Sequence, residues 1–466
     1  MVGWALTACG APPVVLDLAP VSTGCSWHAG DHHVHTRYSV GYSPDEPTVP
    51  ILGGDARYEP ERIAREAVSH GLDWLAYTDH GGPLHSEVTG DLQYPAILEA
   101  RRAEPQLTQF VGMELPTPAA DHTTVMIPPG PDELAQLVEF ERRFASSEVF
   151  PADPARDTEA RMLEALRFLS GLPGPPLVIA NHPARTVETP GGSGATSIAE
   201  LRAWDDAAPE VVGGMEAAPG HQAGGLEPDG GRDTDGARGG YRRVPTFGGY
   251  DHYSAELGGV WDALLGDGRH WGITATSDMH SHVEDGGTDF WPGEYQKTYV
   301  CAAADATSIL DGLRAGRTWV ASGELVTAVE VELSAGADVA TIGEELVVRD
   351  ADPVVLRATF RDPAVPNASG DQPDLARVDV IVGQVDVPSD RRRNGSVRVV
   401  ARLDEGDWSA DGELRTVEID LGALGPGTYV RLRGTNTDQV EPLPDSAGED
   451  PWSDLWFYTS AIFVTS

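Results

Sequence analysis

The chain has 466 residues, 33 of them Lys or Arg and 73 Asp or Glu, for a formal net charge of -40. A surface of that sign repels nucleic acids and anionic membranes, so neither class of partner is expected. Hydrophobic residues make up 40%, enough for a sizeable core, and the 53 Gly and 36 Pro follow no strict repeat, which argues for turns and long loops over a collagen-like or disordered chain.

In chain order, Leu6-Thr7-Ala8-Cys9 resembles a bacterial lipoprotein box, although few residues precede it for a charged start and an apolar region. The expectation is an exported protein (periplasmic, lipid-anchored or extracellular) with residues 1–26 as a tether or signal remnant; a cytoplasmic location is the alternative if the start is as given. No apolar run is long enough to cross a membrane. The three cysteines, Cys9, Cys25 and Cys301, make neither a disulfide framework nor a metal-type CxxC. Pro60 to Val68 predicts a helix, with Pro60 in its first turn and Gly71 at its stop. Asp73 to Thr78 predicts a buried strand, Asp157 to Leu169 a helix, Leu177 to Ala180 a strand, Val260 to Leu265 a helix and Gly272 to Thr276 a strand. Helices interleaved with apolar strands predict an α/β domain of barrel length over residues 27–323. The Gly-rich stretch from Pro219 to Gly249 reads as a long loop or insertion. Beyond Gly323 the pattern changes. Ala328–Leu333, Val354–Phe360, Val378–Val382, Val397–Ala401 and Tyr429–Arg433 alternate apolar and polar residues between Gly, Pro, Asp and Asn, predicting an all-β sandwich over 324–466. Trp452, Trp456, Phe457 and Tyr458 are read as packing between the two parts rather than as a carbohydrate platform.

All fourteen histidines lie between His28 and His282. Many of them fall at predicted strand ends, beside acids. Asp31-His32-His33-Val34-His35-Thr36 follows the first apolar stretch, and Thr78-Asp79-His80 ends the second. Glu114 ends the strand Phe110–Glu114, with His122 shortly after. Asn181-His182-Pro183 and Ser277-Asp278-Met279-His280 follow two more strands. The C-terminal rim of an α/β barrel is where such ends converge. Alternation along a strand aims the His33 and His35 rings the same way, and likewise Asp278 and His280. Any one of these groups alone is an ordinary capping or solvated residue; five strand ends together read as a metal site. Imidazole with carboxylate suits zinc, iron or manganese better than calcium.

This ordered set resembles the polymerase-and-histidinol-phosphatase (PHP) superfamily of metallohydrolases over roughly Trp27 to Val320. The resemblance implies a distorted (β/α)7 barrel holding two or three divalent metal ions. It also implies ligand sets: His33, His35, Glu114 and Asp278 for one metal, Glu114 bridging to a second with His122 and His182, and His80 with His280 for a third. Asp31 and Asp79 are read as carboxylates that orient ring N–H groups. One departure stands out. Many relatives carry Ser-Asp-Gly after the opening motif, whereas Ser39 here precedes Val40-Gly41, so the third metal is expected to be absent, weakly held, or completed by another group such as Asp45 or His85. Gly30 to Thr36, Trp261 to Leu265 and Gly316 to Trp319 resemble an exported branch that includes carbaryl-type carbamate hydrolases.

The resulting expectation is a metal-dependent hydrolase acting on a small-molecule ester, foremost a phosphoesterase with a water shared by two metals as nucleophile. Alternatives are a carbamate or carboxylic ester hydrolase at the same metals, and a metal-binding accessory protein without turnover. Arg185 is a candidate clamp for a phosphoryl oxygen, as are Arg242 and Arg243; each is also readable as an ordinary surface residue. His221 and His252 are candidate substrate-facing acids or plain loop residues.

Overall fold

A computed structural model describes residues 25–241, 243–349, 352–385 and 391–466. The Leu6–Cys9 motif and Arg242 lie outside the described residues. The N-terminal half supplies strands β1 (Ser26–Asp31), β2 (Gly41–Ser43), β3 (Glu46–Ile51), β4 (Trp74–Tyr77), β5 (Thr108–Pro116), β6 (His122–Ile127), β7 (Leu177–Ala180), β8 (Val212–Ala218), β9 (Gly272–Ala275), β10 (Gln296–Ala302) and β11 (Thr318–Ser322). Apart from the β2–β3 hairpin they form one path, β11-β10-β1-β4-β5-β6-β7-β8-β9. The path is mixed. β1–β4, β4–β5, β7–β8 and β8–β9 are parallel, whereas β1–β10, β10–β11, β5–β6 and β6–β7 are antiparallel. β9 turns back toward the start of the path through the Val34–Met279 bridge and the Ala275 N–H to Thr298 Oγ1 bond.

Local sequence explains these elements. The helix Pro60–Ser69 begins on Pro60, buries Ile63, Ala64 and Ala67 on one face, and stops before Gly71 at φ 77°. Helix Ile198–Ala207 starts with a reciprocal cap, Ser197 Oγ accepting the Glu200 N–H while Glu200 accepts the Ser197 N–H. Strands β4, β7, β8 and β9 are buried along their whole length, as covered strands are.

The C-terminal half is all β: β12 (Ala328–Ala335), β13 (Asp338–Thr341), β14 (Glu345–Val347), β15 (Pro353–Arg361), β16 (Arg377–Gln384), β17 (Arg398–Leu403), β18 (Ser409–Asp411), β19 (Leu414–Ala423), β20 (Thr428–Thr435), β21 (Trp456–Thr459) and β22 (Ile462–Thr465). β12 shows the expected alternation, burying Val329, Val331, Leu333 and Ala335 while Glu330 and Glu332 stay half-buried. Five strands form a separate sheet, β13-β12-β15-β19-β18. The rest extend the large sheet, because β21 pairs antiparallel with β11. Trp456, Phe457 and Tyr458 are fully buried on β21 and Trp452 packs on Phe290 and Tyr295, so these aromatics are packing groups.

One feature departs from the sequence expectations. Cys25 and Cys301 form a disulfide, with Cα atoms 5.5 Å apart and 276 positions apart in sequence, so β1 is stapled to β10. The 219–249 stretch is a long connection with only short helical turns among its described residues, as expected, and it is anchored. Arg238, fully buried, bonds Asp454 Oδ1 (2.6 Å), the Tyr295 hydroxyl (2.6 Å) and Gln222 Oε1 (2.9 Å), and Asp445 accepts the Gly248 and Gly249 N–H groups.

Candidate metal centre

The strand ends deliver their side chains to one focus. Glu114, on β5 and 1% exposed, lies within 3.0–3.4 Å of ring nitrogens from five histidines: His33, His35, His80, His122 and His182. Asp278 Oδ1 stands 3.0 Å from His33 Nε2 and 3.1 Å from His35 Nε2. His280 reaches toward Asp55, with Nε2 3.4 Å from its Oδ2. Groups that could hold a metal ion include His33, His35, Glu114 and Asp278; His80, Glu114 and His122; Asp121, His122 and His182; and His35, Asp55, His80 and His280. All eight histidine and acid ligands expected from the strand-end motifs belong to these groups.

Donor chemistry tests whether a cation suits the place. His33 Nδ1 faces Glu216 Oε1 at 2.6 Å, so that nitrogen carries the proton and Nε2 presents its lone pair. The lone pair meets two carboxylate oxygens and the Nε2 of His35, 3.1 Å away. Ser39 Oγ, which donates to Asp55 at 2.6 Å, lies 3.3 Å from His35 Nδ1 and orients that ring the same way. Glu114 Oε2, Asp278 Oδ1 and His182 Nδ1 are buried with no well-aligned hydrogen bond. The Asn181 amide donates to Glu114 Oε1 at 3.0 Å, but the remaining acceptor atoms converge with few donors between them; such a cluster calls for positive charge, and divalent cations meet that need. The imidazoles can also take up that positive charge themselves as protons. Burial alone would raise the Glu114 and Asp278 carboxyls, but protonated imidazoles outweigh it: His122, His33 and His80 around Glu114, His221 and His33 around Asp278. Both acids are held well below the usual carboxylate range. Backbone strain gathers here too, since His182 (φ 28°) and Asp278 (φ 45°) are non-glycine residues at positive φ.

Asp31 and Asp79 are buried beneath this focus but accept mainly backbone and side-chain donors from neighbouring strand ends. Asp31 takes the N–H groups of His33 and Ser277, both at 2.9 Å, and burial pushes it up to about 7. Asp79 takes the Thr36 hydroxyl at 2.7 Å and the Gln93 amide at 2.6 Å. They tie chain segments together. The ring-orienting carboxylate is Glu216, which also accepts the His182 N–H at 2.6 Å. A lone Glu inside the apolar run Val212–Ala218 was its only signal in the sequence, because a buried charge demands a partner. The gap left by Val40 is filled by neither Asp45, which is exposed, nor His85, whose nitrogens go to Glu141 (2.6 Å) and the Tyr38 carbonyl (2.8 Å). Asp55 occupies it instead. Arg185 donates through Nη2 to Asp121 at 2.7 Å and lies 3.4 Å from His122 Nδ1, at the edge of the cluster. His252 packs against the Phe247 and Tyr253 rings and Arg243 is exposed.

No family model matches the sequence, and no curated protein is significantly similar to it. Among solved structures, PsfC from Pseudomonas syringae is 15% identical over 61% of this chain and 88% of its own, with a TM-score of 0.31. Endonuclease Q bound to a 27-mer duplex with an abasic lesion is 14% identical over 62% of this chain and 57% of its own, TM-score 0.31. An amidohydrolase from Chromobacterium violaceum with bound sulfate and no metal is 15% identical over 55% and 88%, TM-score 0.27. Likeness at that level carries no argument about activity. Among the described residues, no helix is long and apolar enough to span a membrane.

Proposed function

We propose that this chain is a metal-dependent hydrolase of the PHP type, its 27–323 portion curled as a distorted barrel around two or three divalent ions and its 324–466 portion an accessory β-sandwich unit. The observation that supports it is Glu114, buried with its carboxylate oxygens 3.0–3.4 Å from ring nitrogens of five histidines. His33, His35, His80, Glu114, His122, His182, Asp278 and His280 would hold the ions, with Asp55 completing the third group. When bound, such ions supply Lewis-acid charge that acidifies water and offsets negative charge developing on an ester. The protein's own part is orientation. Glu216 fixes the His33 tautomer, while Asp31 and Asp79 lock the strand ends that carry the rings. Arg185 presents guanidinium N–H groups beside His122, suited to an anionic phosphoryl oxygen.

A phosphate ester is therefore the favoured small-molecule substrate. A second reading, a carbamate or carboxylic ester, draws on Asp121, which already neutralises Arg185 at 2.7 Å. Relative kcat/KM on aryl phosphate mono-, di- and triesters beside aryl carbamates, after adding back zinc, manganese or iron, tests both. Preference for a phosphate upholds the first reading. Preference for carbamates upholds the second, and stoichiometric metal with no turnover in the whole panel overturns both. Export of the protein is part of the same proposal and draws support from the Cys25–Cys301 bond, which belongs in an oxidising compartment.

A further inference from the structure

Asp289 lies outside every motif that names the metal group. Its Oδ2 accepts the backbone N–H groups of His280 (2.6 Å) and Ser281 (2.8 Å). Its Oδ1 takes His221 Nδ1 at 2.5 Å and the Thr288 hydroxyl at 3.1 Å. Four donors on one carboxylate make it a fixed acceptor, and the His221 ring is fixed with it. The backbone of His221 is held as firmly: φ is 59°, its N–H reaches the Ser277 carbonyl at 3.4 Å, and its own carbonyl accepts the N–H groups of Gly224 and Gly239. Gly220 permits this close approach, since a Cβ there would stand 2.1 Å from Asp278 Cβ. The outcome is that His221 Nε2 sits 2.9 Å from Asp278 Oδ2, on the side away from the oxygen that faces His33 and His35.

We propose that His221, aimed by Asp289, is a positioning residue for Asp278, engaging one carboxylate oxygen so that only the other points at the metal group. The inference rests on the metal reading above and adds to it two residues that lie outside the strand-end motifs in sequence, although His221, Asp278 and His280 are also close enough to form a further group that could hold an ion. Partners of this kind typically alter metal affinity ~10–100-fold.

The test measures zinc affinity of the full chain by competition with a chromogenic chelator, together with zinc stoichiometry at saturation. His221→Leu is expected to bind zinc ~10–100-fold more weakly at unchanged stoichiometry. His221→Gln, whose amide N–H can engage Oδ2, is expected to recover most of that loss. Asp289→Asn, which leaves the imidazole present but misaimed, is expected to weaken binding as well and guards against a His221→Leu variant that misfolds. Wild-type affinity in both His221→Leu and Asp289→Asn overturns the inference. So does loss of a whole zinc equivalent at saturation in His221→Leu, which would make His221 a ligand. A wild-type chain that takes up no zinc overturns the underlying metal reading as well, so the two failures are told apart.

Discussion

Glu216 Oε1 lies 2.6 Å from His33 Nδ1, and its second oxygen accepts the backbone N–H of His182 at the same distance. One carboxylate on β8 therefore sets the ring on one strand end and the main chain on another. Replacing it by Gln keeps the shape and removes the charge. Glu216→Gln is expected to weaken divalent metal binding by at least ~10-fold, read by chelator competition, with little change in the far-ultraviolet circular dichroism spectrum.

Glu114 is the acid shared by most of the imidazoles, and Glu114→Gln is expected to lose more than one metal equivalent at once. Elemental analysis of the purified variant checks this; full metal content would contradict the shared role.

His85 gives a pH signature independent of the metals. Burial would lower its ring pKa, but the charge of Glu141 at 2.6 Å outweighs burial and carries it to about 9, from an ordinary value of 6.5. A group raised on folding stabilises the native state fully below its unfolded value and loses that contribution as pH climbs through the folded one. Stability should therefore decline between about pH 6.5 and 9. His85→Gln is expected to flatten that part of the profile in urea unfolding curves taken across the range.

Reducing the Cys25–Cys301 bond releases a loop whose ends are 276 positions apart. The expected cost is about 2–5 kcal/mol, visible as a lower Tm with reductant and in Cys301→Ala without it. Because β1 leads straight into His33 and His35, metal retention is expected to fall along with Tm.

Much of the fold and of the candidate site is legible in the sequence. Most candidate ligands are legible because they sit just past an apolar strand, where chain direction fixes which rim they join; Glu114 lies within β5 and His122 opens β6. The helix Pro60–Ser69 and strand Leu177–Ala180 followed from Pro placement and apolar run length. What stayed hidden depends on distance along the chain. Asp55 reaches the cluster only after the β2–β3 hairpin has folded back, sixteen positions past Ser39. Pairing Cys25 with Cys301 requires knowing that β1 and β10 are neighbours, with Trp27 opposite Cys301. His221 meets Asp278 from one connection and Asp289 meets His221 from another, and no spacing rule links the three.

The pairing of β11 with β21 has a practical corollary for anyone wishing to trim the protein. Stopping the chain near Gly323 would strip β11 of its outer neighbour and bare a row of unpaired amides and carbonyls, an invitation to intermolecular stacking. The tail is thus a fitted cover over what would otherwise be a sticky flank, and shortened versions should precipitate where the intact polypeptide stays dispersed.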